Sequence, residues 1–138
     1  MALIDITGQI VNDGFIIAGK CLYNPDAPHP LYVAYGTGTT AVSAGDTALE
    51  SEVDRVLATA TEETDYLADY VTIPGQSLVL SAEFNITSSV TPTEVGVFDS
   101  ASGGNMLYRA IIPSGDRRNL SNGDTWTVKV VIKPEQGT

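Results

Sequence analysis

Hydrophobic and polar residues alternate most regularly over residues 77–87. Leu78, Leu80, Ala82, Phe84 and Ile86 take one parity, and Val79, Ser81, Glu83 and Asn85 take the other. A period of two is the side-chain period of an extended chain, so this stretch predicts a strand with one face in a core. Residues 125–133 repeat the pattern, with Trp126, Val128, Val130 and Ile132 facing in and Lys129 and Lys133 facing out. Outward lysines guard an edge strand against unwanted pairing.

Residues 93–112 carry two apolar runs around a loop of small residues, 99–105, that includes Gly103-Gly104. This predicts a β-hairpin with a longer loop. With Phe98 set against Leu107, one face carries Val95, Val97, Tyr108, Ala110 and Ile112. The other carries Phe98, Leu107 and Ile111, with Glu94 and Arg109 as direct or diagonal neighbours. A hairpin apolar on both faces must be covered on both, so it belongs at the centre of the fold.

The rest of the chain is read in less detail. Residues 2–10 alternate weakly and suggest a strand. Asn12 is a good N-cap, and Phe15, Ala18 and Leu22 share a helical face, so a short helix or a strand follows. Residues 24–30 hold three prolines and form a loop. Residues 31–35 predict a short strand ending in the turn of residues 36–40. Thr47 and Glu50 fit a capping box that would open a brief helix. Residues 56–61 look extended, residues 66–73 predict a strand closed by Pro74-Gly75, and Asn122-Gly123 marks a tight turn. Short strands between turn signals predict an all-β fold. The expectation is a single-domain antiparallel β-sandwich or incomplete barrel over residues 1–138, with one or two short helices near the N-terminal half.

Charge and composition narrow the function more than the fold. The 138 residues carry a formal charge of −10. Up to Asp69 eleven acids face Lys20 and Arg55, a balance of −9, and from Tyr70 onward six acids face five bases, a balance of −1. The charge balance argues against nucleic acid as a partner, because phosphate contact needs clustered Lys and Arg, and Arg117-Arg118 is the only basic pair. No apolar run approaches the roughly 18 residues of a membrane span, and no signal-peptide pattern is present. The chain is expected to be made in a cytoplasm and kept soluble by self-repulsion. Its one cysteine, Cys21, reads as a small buried hydrophobe.

Candidate chemistry is thin. His29 is the single histidine and lies between two prolines, with no Ser-His-Asp or Cys-His partner spacing, so it reads as loop decoration. No cofactor and no transition metal is implied. Acids cluster at Glu50, Glu52 and Asp54, at Glu62, Glu63, Asp65 and Asp69, and around Asp116, Asn122 and Asp124. None has the spacing of a calcium loop, and a solvated acidic face is the better reading. Residues 36–40 lack the lysine of a phosphate loop. The sharpest feature is the pair Glu94 and Arg109. Two readings stay open: an ordinary cross-strand ion pair, or a pair within a covered face that fixes how a partner docks there.

Several blocks carry a family likeness: residues 31–40 (LYVAYGTGTT), 46–50 (DTALE) with Glu52 and Arg55, 94–99 (EVGVFD) and 106–110 (MLYRA). In order and spacing they resemble small structural proteins of tailed-phage virions, a group of tail-fibre, minor tail and particle-surface components. The likeness runs from about residue 10 to the end. It implies a non-enzymatic β-rich module that docks on other virion proteins and on itself, with no catalytic residue. Gly36 and Gly38 would belong to a turn, Leu49, Glu52 and Arg55 to a packed crossing segment, and Glu94 and Arg109 to the central hairpin. The proline-rich stretch with His29 and the acidic residues 62–69 are less typical of the group. The shaft repeats of a fibre are missing, so the chain is not the fibre itself. The expected interface is Glu94, Phe98, Leu107, Arg109 and Ile111, in a tail or fibre-attachment component first and a capsid decoration protein second. A carbohydrate-binding module reading a host-surface glycan through Tyr23, Tyr35 or Tyr66 is the alternative of another class.

Overall fold

The central hairpin forms, and its two faces are indeed covered separately. The structure, a computed structural model, describes residues 8–24, 26, 28–68 and 71–132, with side chains throughout except at 62–68 and 71–77. In chain order the elements are β1 (Gly8–Ile10), α1 (Gly14–Tyr23), β2 (Tyr32–Gly36), β3 (Glu52–Leu57), β4 (Thr59–Ala68), β5 (Val71–Asn85), β6 (Glu94–Phe98), β7 (Met106–Ile111) and β8 (Thr125–Ile132), with a 3₁₀ turn at Ser114–Asp116. Leu3, Ile4 and Ile6 of the expected first strand, Lys133, and the side chains of Glu62, Glu63, Asp65, Tyr66 and Asp69 lie outside the described residues.

The fold is all-β. One antiparallel sheet runs β1-β7-β6-β2-β3, a second runs β4-β5-β8, and they do not close into a barrel. The chain passes from one sheet to the other at Ala58, whose N–H donates to the Leu31 carbonyl at 2.9 Å. Between the sheets lies the main core: Val33, Tyr35, Val95, Val97 and Ile112 from one side, Leu80, Ala82, Phe84, Ile86 and Val130 from the other. The period-two readings of the second sheet hold, since Phe84 pairs with Trp126, Ala82 with Val128 and Leu80 with Val130. Tyr35 stands edge-on to Phe84 and Trp126, with ring centroids 4.9 and 5.3 Å away. Each such contact adds about 0.5–1.5 kcal/mol beyond burial.

Four expectations are corrected. First, β6 and β7 keep the expected register at Val95–Ala110 and Val97–Tyr108, then shift so that Phe98 faces Met106. The shift leaves Leu107 as the extra residue of a bulge, and Leu107 packs against the inter-sheet core. Second, β4 and β5 pair antiparallel out to Ala68–Val71, and Pro74 and Gly75 lie inside β5 and do not close a strand. The pairs Thr64–Gln76 and Tyr66–Ile73 set two residues, Pro74 and Gly75, against one. Such a bulge tolerates a proline, because its missing N–H has no ladder bond to make.

Third, residues 47–50 form no helix; the Glu50 carboxylate instead accepts the Thr39 N–H at 2.9 Å and the Thr40 hydroxyl. Fourth, α1 is a helix capped at Asp13, without a side-chain cap bond, and it faces the sheet through Gly14 and Ile17. Phe15, Ala18 and Leu22 point to solvent. Gly14 sets this roll: a methyl group there would lie 3.0 Å from both the Leu107 carbonyl and its Cδ1, so only the glycine side can approach β7 so closely. Among the described residues, no helix is long and apolar enough to cross a membrane.

Candidate functional site

On the outer face of the five-stranded sheet a second apolar cluster forms from Val11, Ala34, Leu49, Phe98 and Met106. Residues 37–51 lie over this face, and Glu94 fastens them to it. The Glu94 carboxylate is fully buried. Its Oε1 accepts the Glu50 N–H at 2.9 Å and Arg109 Nε and Nη2 at 3.3 and 3.1 Å. Its Oε2 accepts the N–H groups of Gly38 and Ser51, both at 2.8 Å. Three converging backbone N–H groups make an anion nest, and the occupant is the chain's own side chain.

Arg109, 2% exposed, completes the arrangement. Nη1 reaches Asp46 Oδ2 at 3.0 Å and the Ala41 carbonyl at 3.5 Å, while Nη2 also reaches the Thr40 carbonyl at 3.0 Å. All five guanidinium N–H donors have acceptors. A buried charge pair is expensive to desolvate unless its remaining hydrogen-bonding capacity is filled, and here it is. Strand parity brings Glu94 and Arg109 together as expected. The cover over them comes from residues 37–51 of the same chain.

Of the expected interface residues, Glu94, Phe98 and Arg109 are therefore buried inside the chain, while Leu107 and Ile111 are half-buried. No surface patch contains all five.

Arg55 holds the far end of the same face. Its guanidinium lies 3.6 Å from the Phe98 ring centroid, and Nη1 donates to the carbonyls of Ser100 and Gly103 at 2.9 and 2.8 Å. Nη2 and Nε take the Glu52 carboxylate at 2.6 and 3.1 Å. Lysine offers neither the planar fork nor the stacking surface. Arg55→Lys is therefore expected to cost about 1–3 kcal/mol and to speed amide hydrogen exchange across residues 100–105. Unchanged exchange in that loop would show that the loop holds itself.

Asp99 is the loop's own tie, accepting the Asn105 backbone N–H at 2.7 Å and its side-chain amide at 2.9 Å. Burial pushes the Asp99 carboxyl up, but the Asn105 bonds and then Lys20, 3.8 Å away, outweigh it and hold the carboxyl below its ordinary 3.8. The unfolded chain then binds the proton more readily. The stability Asp99 contributes is complete above the ordinary carboxylate range and lost as pH falls through the lowered value. Melting temperature is expected to drop as pH falls below the ordinary carboxylate value of 3.8, with a shallower slope in Asp99→Asn. An equal slope in the variant would assign the acid sensitivity to other carboxylates.

His29, half-buried, turns its Nε2 to the Asn24 carbonyl at 2.7 Å and so ties the proline loop to the end of α1. Beside it an open groove of about 560 Å³ is lined by Gly19, Lys20, Tyr23, Asn24, Pro28 and His29. Among the described residues, no group of three or more His, Cys, Asp or Glu side chains is placed to hold a metal ion.

The surface that sequence reasoning missed is the outer side of α1. Phe15, Ile16, Leu22 and Tyr23 are 73, 47, 85 and 94% exposed, and Ile10 beside them is 39% exposed. A signal was available: residues 14–19 are apolar all round, and such a helix is normally buried on more than one side. Comparison with protein-family models, curated proteins and solved structures gave no match to this chain.

Proposed function

We propose that this chain is a non-enzymatic structural protein of a tailed-phage virion, a β-rich module that docks on neighbouring virion subunits. The observation that carries the docking role is the outer face of α1, which sets four large apolar side chains in water on a chain of net charge −10. Contiguous exposed apolar patches mark contact surfaces, whereas scattered apolar residues do not. The virion setting comes from the likeness of residues 31–40, 46–50 with Glu52 and Arg55, 94–99 and 106–110 to small phage structural proteins. The buried charges support a structural role: Glu94 and Arg109 commit their hydrogen bonds to each other, to the Asp46 carboxylate and to the backbone of residues 38–51.

A tail or fibre-attachment position is the first placement and a decoration position on the head the second. Either would make the chain a virion component synthesised in the host cytoplasm. Imaging of intact particles of the encoding phage, with this domain fitted, separates the two. A few copies in threes or sixes at the tail end support attachment, and hundreds on the head lattice support decoration. Particles that contain none would remove the virion role.

A carbohydrate-binding module is a second reading, and one observation favours it. Tyr23 stands exposed beside the groove lined by Lys20, Asn24 and His29, an aromatic face next to hydrogen-bonding groups. Tyr35, the other described tyrosine considered for this role, is buried in the core. Binding on a glycan array that disappears in Tyr23→Ala would support this reading, and an array without hits would remove it.

A further inference from the structure

The outer face of α1 has a pattern that fits a second copy of itself. Phe15 and Leu22 lie two turns apart on one stripe, and between them sit Ala18 and Gly19, both exposed. Gly19 has no atom within 4 Å of where a methyl group would stand. Large residues at both ends and small ones in the middle make a stripe that is complementary to its own reverse. When two such helices run antiparallel about a two-fold axis between Ala18 and Gly19, each Phe15 faces the other copy's Leu22. The small residues then meet at the centre, where backbones can come close.

Charge and area agree with this occupant. Two chains of net charge −10 repel each other over most of their surfaces. Within Gly14–Tyr23, however, the sole charged side chain is Lys20, and Asp99 offsets it at 3.8 Å. The patch is close to neutral, so like copies can meet there. At the stated exposures its four large side chains present on the order of 600 Å², given ~150–250 Å² for an aromatic residue. Two copies would remove on the order of 1,200 Å², the lower limit for a specific interface.

We propose that α1 is a self-association helix and that two copies of the chain pair through it, antiparallel, across an axis at Ala18–Gly19. This deepens the docking role proposed above and rests on it for its place in a particle. The test is sedimentation equilibrium of the full chain from about 1 to about 100 µM. A species of twice the 14.5 kDa chain mass is expected. Leu22→Glu is expected to weaken it about a hundredfold or more, because the pairing buries two like charges, with the melting temperature unchanged at concentrations where both chains are monomeric, because Leu22 is 85% exposed in the single chain. On a Cys21→Ser background, Ala18→Cys is expected to form a disulfide-linked dimer under mild oxidation while Gly45→Cys does not.

A chain that stays monomeric, a dimer that survives Leu22→Glu, or equal cross-linking at positions 18 and 45 would overturn the proposal. Virion incorporation separates it from the broader role. A monomeric chain whose Leu22→Glu variant fails to enter particles would remove self-association and leave docking intact. A Leu22-dependent dimer found on no particle would do the reverse.

Discussion

Replacing Glu94 by glutamine is expected to destabilise the protein by about 3–5 kcal/mol, although the two side chains have nearly the same shape. The reason lies in the donors around the carboxylate. Oε2 accepts two backbone N–H groups, and Oε1 accepts a third together with Arg109. Whichever way the glutamine amide turns, its NH₂ meets at least two N–H groups that need an acceptor. Buried donors left unpaired cost about 1–3 kcal/mol each. Urea unfolding at neutral pH measures this as a lower midpoint with an unchanged slope. A loss below about 1 kcal/mol would mean that residues 37–51 are held mainly by Leu49 and not by the carboxylate.

The same geometry sets this pair apart from most buried ion pairs. Replacing a buried pair by apolar residues of similar volume is often neutral or stabilising. Here Glu94→Leu with Arg109→Met is expected to remain destabilised, because the N–H groups of Gly38, Glu50 and Ser51 would still converge on an apolar group. The charge pair stabilises the fold less through its own attraction than by giving a covering loop somewhere to end its hydrogen bonds.

How far this was legible in the sequence follows from which contacts are local. Parity within residues 77–87, 94–98 and 125–132 placed Phe84, Trp126, Val95 and Val97 between the sheets, because a strand's two faces are fixed by counting. Parity also placed Glu94 and Arg109 on one face. It could not show what covers them. The backbone donors on the carboxylate come from positions 56, 44 and 43 residues away, in a segment without regular secondary structure. The bulge at Leu107 and the roll of α1 were hidden for a related reason. Both depend on backbone fit, the latter on Gly14 against the Leu107 carbonyl, and hydrophobic periodicity does not report it. The docking surface was therefore sought at Phe98, Leu107 and Ile111, while the outer side of α1 exposes Phe15, Ile16, Leu22 and Tyr23.

Gly36→Ala is expected to be nearly as damaging as Glu94→Gln, by about 3 kcal/mol, for a single added methyl group. That methyl would overlap the Ser51 carbonyl and lie 2.7 Å from Glu94 Oε2. Neither neighbour is free to move. The Ser51 carbonyl accepts the Thr37 N–H at 3.0 Å, and the carboxylate is fixed by its own donors. Gly36 cannot retreat either, because its carbonyl takes the Thr93 N–H at 2.9 Å and its strand pairs on both sides. Gly45→Ala is the matched control: a methyl there meets nothing within 4 Å, and a change of less than about 1 kcal/mol is expected. Combining Gly36→Ala with Glu94→Gln distinguishes a shared cause from two separate ones. If both act by releasing residues 37–51, the second substitution adds little to the first, since neighbouring sites in one network are not additive. Fully additive losses would instead mean that Gly36 acts through strand pairing alone, and that the loop stays in place when the carboxylate is altered.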